Sequence, residues 1–218
     1  SYDHLVEAAR KSVFQLVDET GWKIGGRSAW LWVFADEHAT LYRIRKSRGH
    51  EVVVEVLGDD YQGVLVSDCF LAYDPLNFRK SKCSSHLLKR CSEIEQSKCR
   101  GAVRFSRRVA ALIRRAMALK RRRGGLGDHG YAVLRGKAHA ELDRLLAGTY
   151  TDPDNARLAK LLRKHRDSVL GFLDHDFVDA TNNLAEREVR PAVIARKLSA
   201  GNRTEEGAET HAVLASVF

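Results

Sequence analysis

The stretch HEVVVEVLG, residues 50–58, decides how the first third of the chain folds. Its run of valines has the β-branched composition of a strand. Its place between two strand-like segments suits instead a crossover helix that returns the chain to a parallel neighbour. On the residues alone both readings stay open. The flanking segments are clearer. VFQLV (13–17) is an apolar run that ends at Asp18, and KIGGRS (23–28) supplies a Gly25-Gly26 hairpin turn. AWLWVFA (29–35) is apolar on both faces, as a central strand would be, and ATLYRI (39–44) reads as a third, antiparallel strand. After the turn GDDYQG (58–63), VLVS (64–67) runs into Asp68. Two apolar strands therefore each deliver an aspartate at the C-terminal end, the edge where open α/β sheets bind ligands.

The chain has 218 residues, 44% of them hydrophobic, and a formal net charge of +9. That length suits one well-buried domain with an insertion, or two small domains. The basic excess favours a polyanionic partner. No apolar run approaches the roughly 20 residues that span a bilayer, and no signal peptide is present. The four cysteines, Cys69, Cys83, Cys91 and Cys99, are too few for a secreted disulfide scaffold and suggest reduced thiols. A start at Ser1 directly ahead of an amphipathic stretch reads as a fragment of something longer.

From about residue 89 to 176 the pattern turns helical. RFSRRVAALIRRAMALKRRR (104–123) puts Val109, Leu112, Ile113 and Ala116 on one stripe. Arg104, Arg107, Arg108, Arg114, Arg115, Arg121 and Arg122 fall on the opposite face. Between Lys98 and Arg123 there is no acidic residue, whereas solvated faces normally mix signs. Contact between this face and nucleic acid is the expectation. GGLGDHG (124–130) reads as a flexible break, followed by amphipathic helices in AHAELDRLLAG (138–148) and ARLAKLLRKHRDSVLGFLD (156–174). Trp22, Trp30 and Trp32 read as core.

DATNNLAEREVRP (179–191) supports two readings. An asparagine cap followed three residues later by an acid is a capping box, with Glu186 reaching back to the Asn183 amide. Alternatively Glu186 joins Asp18 and Asp68 around metal. Breaking a phosphodiester needs charge stabilisation on both the attacking and the leaving oxygen, which two divalent ions roughly 4 Å apart supply. Oxygen ligands suit Mg²⁺ or Mn²⁺.

VDETGWKIGGRSAWLWVF, GVLVSDCFLAYD, KCSSHLLKR and TNNLAEREVRPAVIARKLSAGNRTEEGAETHAVLASV together resemble the transposases of the insertion sequence 66 family. The likeness covers nearly the whole chain in the same order. It implies a DDE enzyme with an α/β, ribonuclease H-like mixed sheet flanked by helices, and it makes HEVVVEVLG a helix. It also implies a first core part at 1–88, a large basic helical insertion at 89–176 before the glutamate, and a closing core part at 177–218. By the same resemblance Asp18, Asp68 and Glu186 form a catalytic triad holding Mg²⁺ or Mn²⁺, as two ions. Arg190, one turn after Glu186, would orient it or hold a phosphate, with Asn182 and Asn183 in support. Cys69-Phe70 departs from the Gly-Tyr that relatives commonly carry.

Cys83 and His86 form a Cys-x-x-His half-site with Cys91 and Cys99 nearby. The seven residues between Cys91 and Cys99 are not a usual zinc spacing, so structural zinc is not expected. The resemblance, whose family shares a Cys-x-x-His pair here, implies a packing or site-lining role for His86. The expected function is metal-dependent nicking and strand transfer on double-stranded DNA for a bacterial insertion sequence. A homo-oligomeric complex in the cytoplasm, at the nucleoid, would carry it out. The alternative is a truncated, non-catalytic DNA-binding remnant or repressor, suggested by the lack of an N-terminal recognition region and by the stop at LASVF.

Overall fold

The computed structural model describes residues 1–217. By internal contacts the chain forms two compact units, Ser1–Lys80 together with the chain from Asn182 on, and Ser81–Thr181. The first unit opens with helix α1 (Tyr2–Lys11) and three antiparallel strands, β1 (Phe14–Ile24), β2 (Arg27–Ala35) and β3 (Thr40–Arg45). Helix α2 (Glu51–Leu57) then crosses to β4 (Val64–Ser67), which pairs parallel to β1. With β5 (Arg79–Lys82) the sheet order is β3-β2-β1-β4-β5. The fold is mixed α/β and compatible with a ribonuclease H-like sheet.

HEVVVEVLG is therefore helical, against its β-branched composition. Val52, Val53, Val56 and Leu57 are all buried, at spacings that share one helical face. Burial of that stripe outweighs the few tenths of a kcal/mol per residue by which valine disfavours helix. Gly58 ends the helix at φ 85°.

Each sheet face carries its own core. Val17, Trp32, Phe34, Leu41 and Leu65 pack with Ala9 of α1 and the valines of α2. On the other face Trp22, Ile24, Leu31, Val33, Tyr42 and Ile44 pack with Ala192 of α8 (Asn183–Ser199) and with Ala208 and Ala212 of α9 (Glu205–Val217). The two faces alternate residue by residue along β1 and β2, and β2 is buried on both. Trp22 and Trp32 are core as expected, while Trp30 is only half-buried. Gly25 and Gly26 both adopt positive φ, 56° and 77°, which is the two-residue turn whose twist suits a hairpin.

The second unit is helical: α3 (Ser84–Ser97), α4 (Arg104–Arg121), α5 (Asp128–Leu146), α6 (Pro153–Lys164) and the short α7 (Arg166–Val169). Val109, Leu112, Ile113 and Ala116 of α4 are buried, as their spacing predicts. The break expected over 124–130 is shorter than that, because α5 starts at Asp128 and carries Gly130 and Gly136 inside it. The helix expected over 156–174 stops at His165, whose φ of −107° and ψ of 21° leave the α region. Among the described residues no helix is long and apolar enough to cross a membrane.

The link between α8 and α9 is built onto the β1–β2 hairpin. Asn202 N–H donates to the Lys23 carbonyl and its own carbonyl accepts from Gly25 N–H, both at 2.9 Å. The Trp22 indole N–H donates to Asn202 Oδ1 at 2.8 Å, and Asn202 Nδ2 donates to the Gly207 carbonyl in α9. Gly201, at φ 105°, lets the chain approach so closely that a Cβ there would lie 2.3 Å from the Lys23 carbonyl oxygen. Gly201→Ala is therefore expected to lower stability by about 1–3 kcal/mol. Urea denaturation followed by tryptophan fluorescence checks this, and an unshifted midpoint would show that the hairpin does not hold this link.

Candidate functional site

The parallel pairing of β1 with β4 runs Phe14↔Val64, Gln15↔Leu65, Leu16↔Val66. Two residues further along stand Asp18, within β1, and Asp68, just past the end of β4. Continued two residues past its last pair, that register would bring Asp18 alongside Asp68. Asp18 shares parity with Leu16 and so faces the side of the sheet that α8 and α9 cover.

One expectation needs correction. Asp18 does not end its strand: β1 continues to Ile24, because β2 goes on pairing with it as far as Ile24↔Arg27. What ends near Asp18 is the parallel ladder, since β4 stops at Ser67. Beyond it Asp68 turns the chain, with its Oδ1 accepting from the Phe70 N–H at 2.7 Å. Asp18 Oδ1 likewise accepts from the Glu19 N–H at 2.9 Å. Both carboxylates are oriented by backbone donors.

Glu186 lies in the first turn of α8, half-buried, next to the buried Ala185. The cap residue of α8 is Asn182, one position ahead of Asn183, and it makes no side-chain cap hydrogen bond. Asn182 is 1% exposed, and its Nδ2 donates 3.1 Å to the carbonyl of Val17, the residue before Asp18. The asparagine thus ties the start of α8 to β1 instead of closing the helix end. Fourteen residues on, the Arg196 guanidinium donates to the Gly21 carbonyl at 2.5 Å. A Cβ at position 21 would come 3.2 Å from Arg196 Nη1, so the glycine of DETGW leaves room for this contact. With Asn202 at the far end, α8 is held along β1 at three places.

The other expected residues are placed as follows. Asn183 is exposed at the first position of α8, and Arg190 is exposed one turn after Glu186. Glu188 pairs with Arg187 at 3.1 Å, and its backbone carbonyl accepts from Tyr42 Oη at 2.8 Å. Burial, with the Glu188 charge nearby, pushes the Tyr42 phenol up to about 12. In the second unit Cys83 is buried just ahead of α3 and His86 is half-buried in its first turn. Cys91 is buried later in α3, and Cys99 is exposed beyond its end.

Sequence reasoning missed three residues behind the aspartates, on the α1/α2 face of the sheet. The Glu19 side chain is only 3% exposed. Its Oε1 accepts from Arg48 Nε and Nη2 at 3.0 and 2.8 Å, and its Oε2 accepts from Tyr73 Oη at 2.6 Å. Burial raises the Glu19 carboxyl above its ordinary value, partly offset by the hydrogen bonds from Tyr73 and Arg48. One signal was available: strand alternation beside an inward Asp18 aims Glu19 into an apolar face, and a buried carboxylate needs a partner.

All seven arginines singled out on α4 and just after it are exposed. Arg107 lies 3.7 Å from Glu95 of α3, and Arg115 lies 2.6 Å from Glu141 of α5, so neighbouring helices return some negative charge. Arg104, Arg108, Arg114, Arg121 and Arg122 have no acidic partner among the described residues.

The sequence model of the transposase IS66 family matches residues 1–210. The chain belongs to that family. Comparison with curated proteins and with solved structures returns no match. Membership supports a transposase-related function and implies DNA as a partner.

Asn182→Ala removes the donor to the Val17 carbonyl within the core. It is expected to cost about 1–3 kcal/mol, measured by chemical denaturation. Hydrogen exchange should quicken at the start of α8 before it does in β1; unchanged protection there would mean the contact is not what holds the helix.

Proposed function

We propose that the chain is the catalytic domain of a DDE transposase that nicks double-stranded DNA at the ends of an insertion sequence and transfers the freed 3′-hydroxyl to target DNA. The observation that supports this most directly is the parallel β1–β4 register, which carried two residues past Leu16↔Val66 would bring Asp18 alongside Asp68, with Glu186 in the first turn of α8. The donor set fits a hard divalent ion: three carboxylates offer only oxygen, the ligand of Mg²⁺ and Mn²⁺. Grouped carboxylates also repel one another unless a cation or a proton neutralises them. Bound there, divalent ions supply Lewis-acid polarisation of the scissile phosphate and charge neutralisation.

The rest falls to the protein. Asp18 and Asp68, each steadied by a backbone N–H, present their remaining lone pairs from adjoining chains. Glu186 closes the set from α8. The α4 arginines and Arg190 hold phosphates as point charges and forks, which position a duplex without reading its sequence. Assembly as a homo-oligomer, with one subunit per element end, belongs to the same reading. Mn²⁺ titration of the 218-residue chain should give binding that Asp18→Asn or Asp68→Asn abolishes. Glu186→Gln should eliminate metal-dependent nicking and spare DNA binding, while Glu188→Gln keeps most activity because its partner is an exposed arginine. The reverse ranking would assign the wrong glutamate. DNA binding with no metal binding at all would favour a non-catalytic DNA-binding remnant.

Duplex affinity should fall with salt by a slope of about −0.9 per phosphate contact. Replacing Arg104, Arg108, Arg114 and Arg121 by Gln should flatten that slope and weaken all sequences alike. A wild-type slope in this variant would leave the face merely solvated.

A further inference from the structure

We propose that Arg48 is a positioning residue for the aspartate pair, locking the turn that carries Asp68 to the strand that carries Asp18. The inference rests on the metal-site reading above. Arg48 follows β3 in the loop before α2, and no step of the proposed chemistry uses it. Its guanidinium carbon lies 4.2 Å from the centre of the Trp30 ring and 3.9 Å from that of Phe70. The cation thus lies against both rings, where a flat guanidinium can stack and still send its fork to a carboxylate, which the compact ammonium of lysine cannot do. From there Nε and Nη2 reach Glu19, the neighbour of Asp18 on β1.

Each contact leads to one aspartate. Glu19 N–H donates to Asp18 Oδ1, and Phe70 N–H donates to Asp68 Oδ1. Trp30 anchors the assembly to β2, and Tyr73 anchors it to the turn after β4 by donating to Glu19 and packing edge-on against Phe70 at 6.3 Å. The pairing of β4 with β1 ends at Leu16↔Val66, so β-ladder bonds no longer hold Asp68 in place. Arg48 supplies a link there, joining Glu19, three residues past Leu16 on β1, to Phe70, four past Val66 in the turn after β4. Rigid placement matters because ligand groups that point freely bind ions weakly, and loss of the groups that orient them typically lowers metal affinity 10- to 100-fold.

The test is Mn²⁺ titration of the wild-type chain, Arg48→Lys, Phe70→Leu and the double variant, by calorimetry well below each melting temperature. Lysine keeps a positive charge for Glu19 and loses the stack; leucine removes the ring and leaves the Phe70 N–H in place. Both single variants should bind Mn²⁺ about ten-fold more weakly or worse. The double variant should bind no more weakly than the worse single one, since both changes break one link. Unchanged Mn²⁺ affinity in the single variants, with only a lower melting temperature, would overturn the proposal and make Arg48 a stability residue. Losses that simply multiply in the double variant would also overturn it, because Arg48 would then not act through Phe70. Failure of the wild-type chain itself to bind Mn²⁺ would overturn the metal-site reading and this inference together.

Discussion

The parallel pairing of β1 with β4 is the constraint on which the rest of the first unit depends. A parallel neighbour needs a crossover, and α2 provides it by burying one valine-rich stripe against the sheet. The pairing sets Leu16 opposite Val66, and the same register continued two residues on would bring Asp18 alongside Asp68. A slip of one residue would turn one carboxylate into the α1/α2 core and bring its apolar neighbour out. The apolar residues on both faces of β1 and β4 resist that slip, so hydrophobic burial fixes the spacing of the polar pair.

Glu186, the third carboxylate of the proposed set, comes from far along the chain, and polar contacts place the helix that carries it. Between Asp68 and Glu186 the chain folds a whole helical unit, so sequence proximity does nothing to position α8. Asn182, Arg196 and Asn202 each meet a backbone carbonyl of β1, at Val17, Gly21 and Lys23. These carbonyls lie along one strand in the order in which their partners occur along the chain. Such contacts fix register and direction more sharply than apolar packing, which tolerates sliding. The helix has few buried side chains, with only Ala185 and Ala192 fully inside, which makes the polar ties weigh more.

Where local pattern and burial agree, the sequence was legible. The hairpin at Gly25-Gly26, the doubly buried β2, the buried stripe of α4 and its exposed arginines all follow from periodicity and turn chemistry. HEVVVEVLG was undecidable from its residues, because composition and burial stripe point opposite ways and only tertiary packing breaks the tie. Asp18 was expected to end its strand; the run of paired residues past it depends on β2, which local pattern cannot report. Asn182 looked like a cap because asparagine before a helix usually is one, yet burial gave its amide a distant carbonyl instead. Arg48, Glu19 and Tyr73 are separated in sequence and meet only in the folded unit, so no spacing rule could have joined them.

Asp18, Asp68 and Glu186 are proposed to form one divalent-ion site. Anomalous diffraction from crystals of this chain grown with Mn²⁺ tests it most directly, because the peak reports the ion's position and not merely its presence. Density should bridge the carboxylates of Asp18 and Asp68, within coordination distance of both. Ordered Mn²⁺ elsewhere with those two carboxylates bare would contradict it.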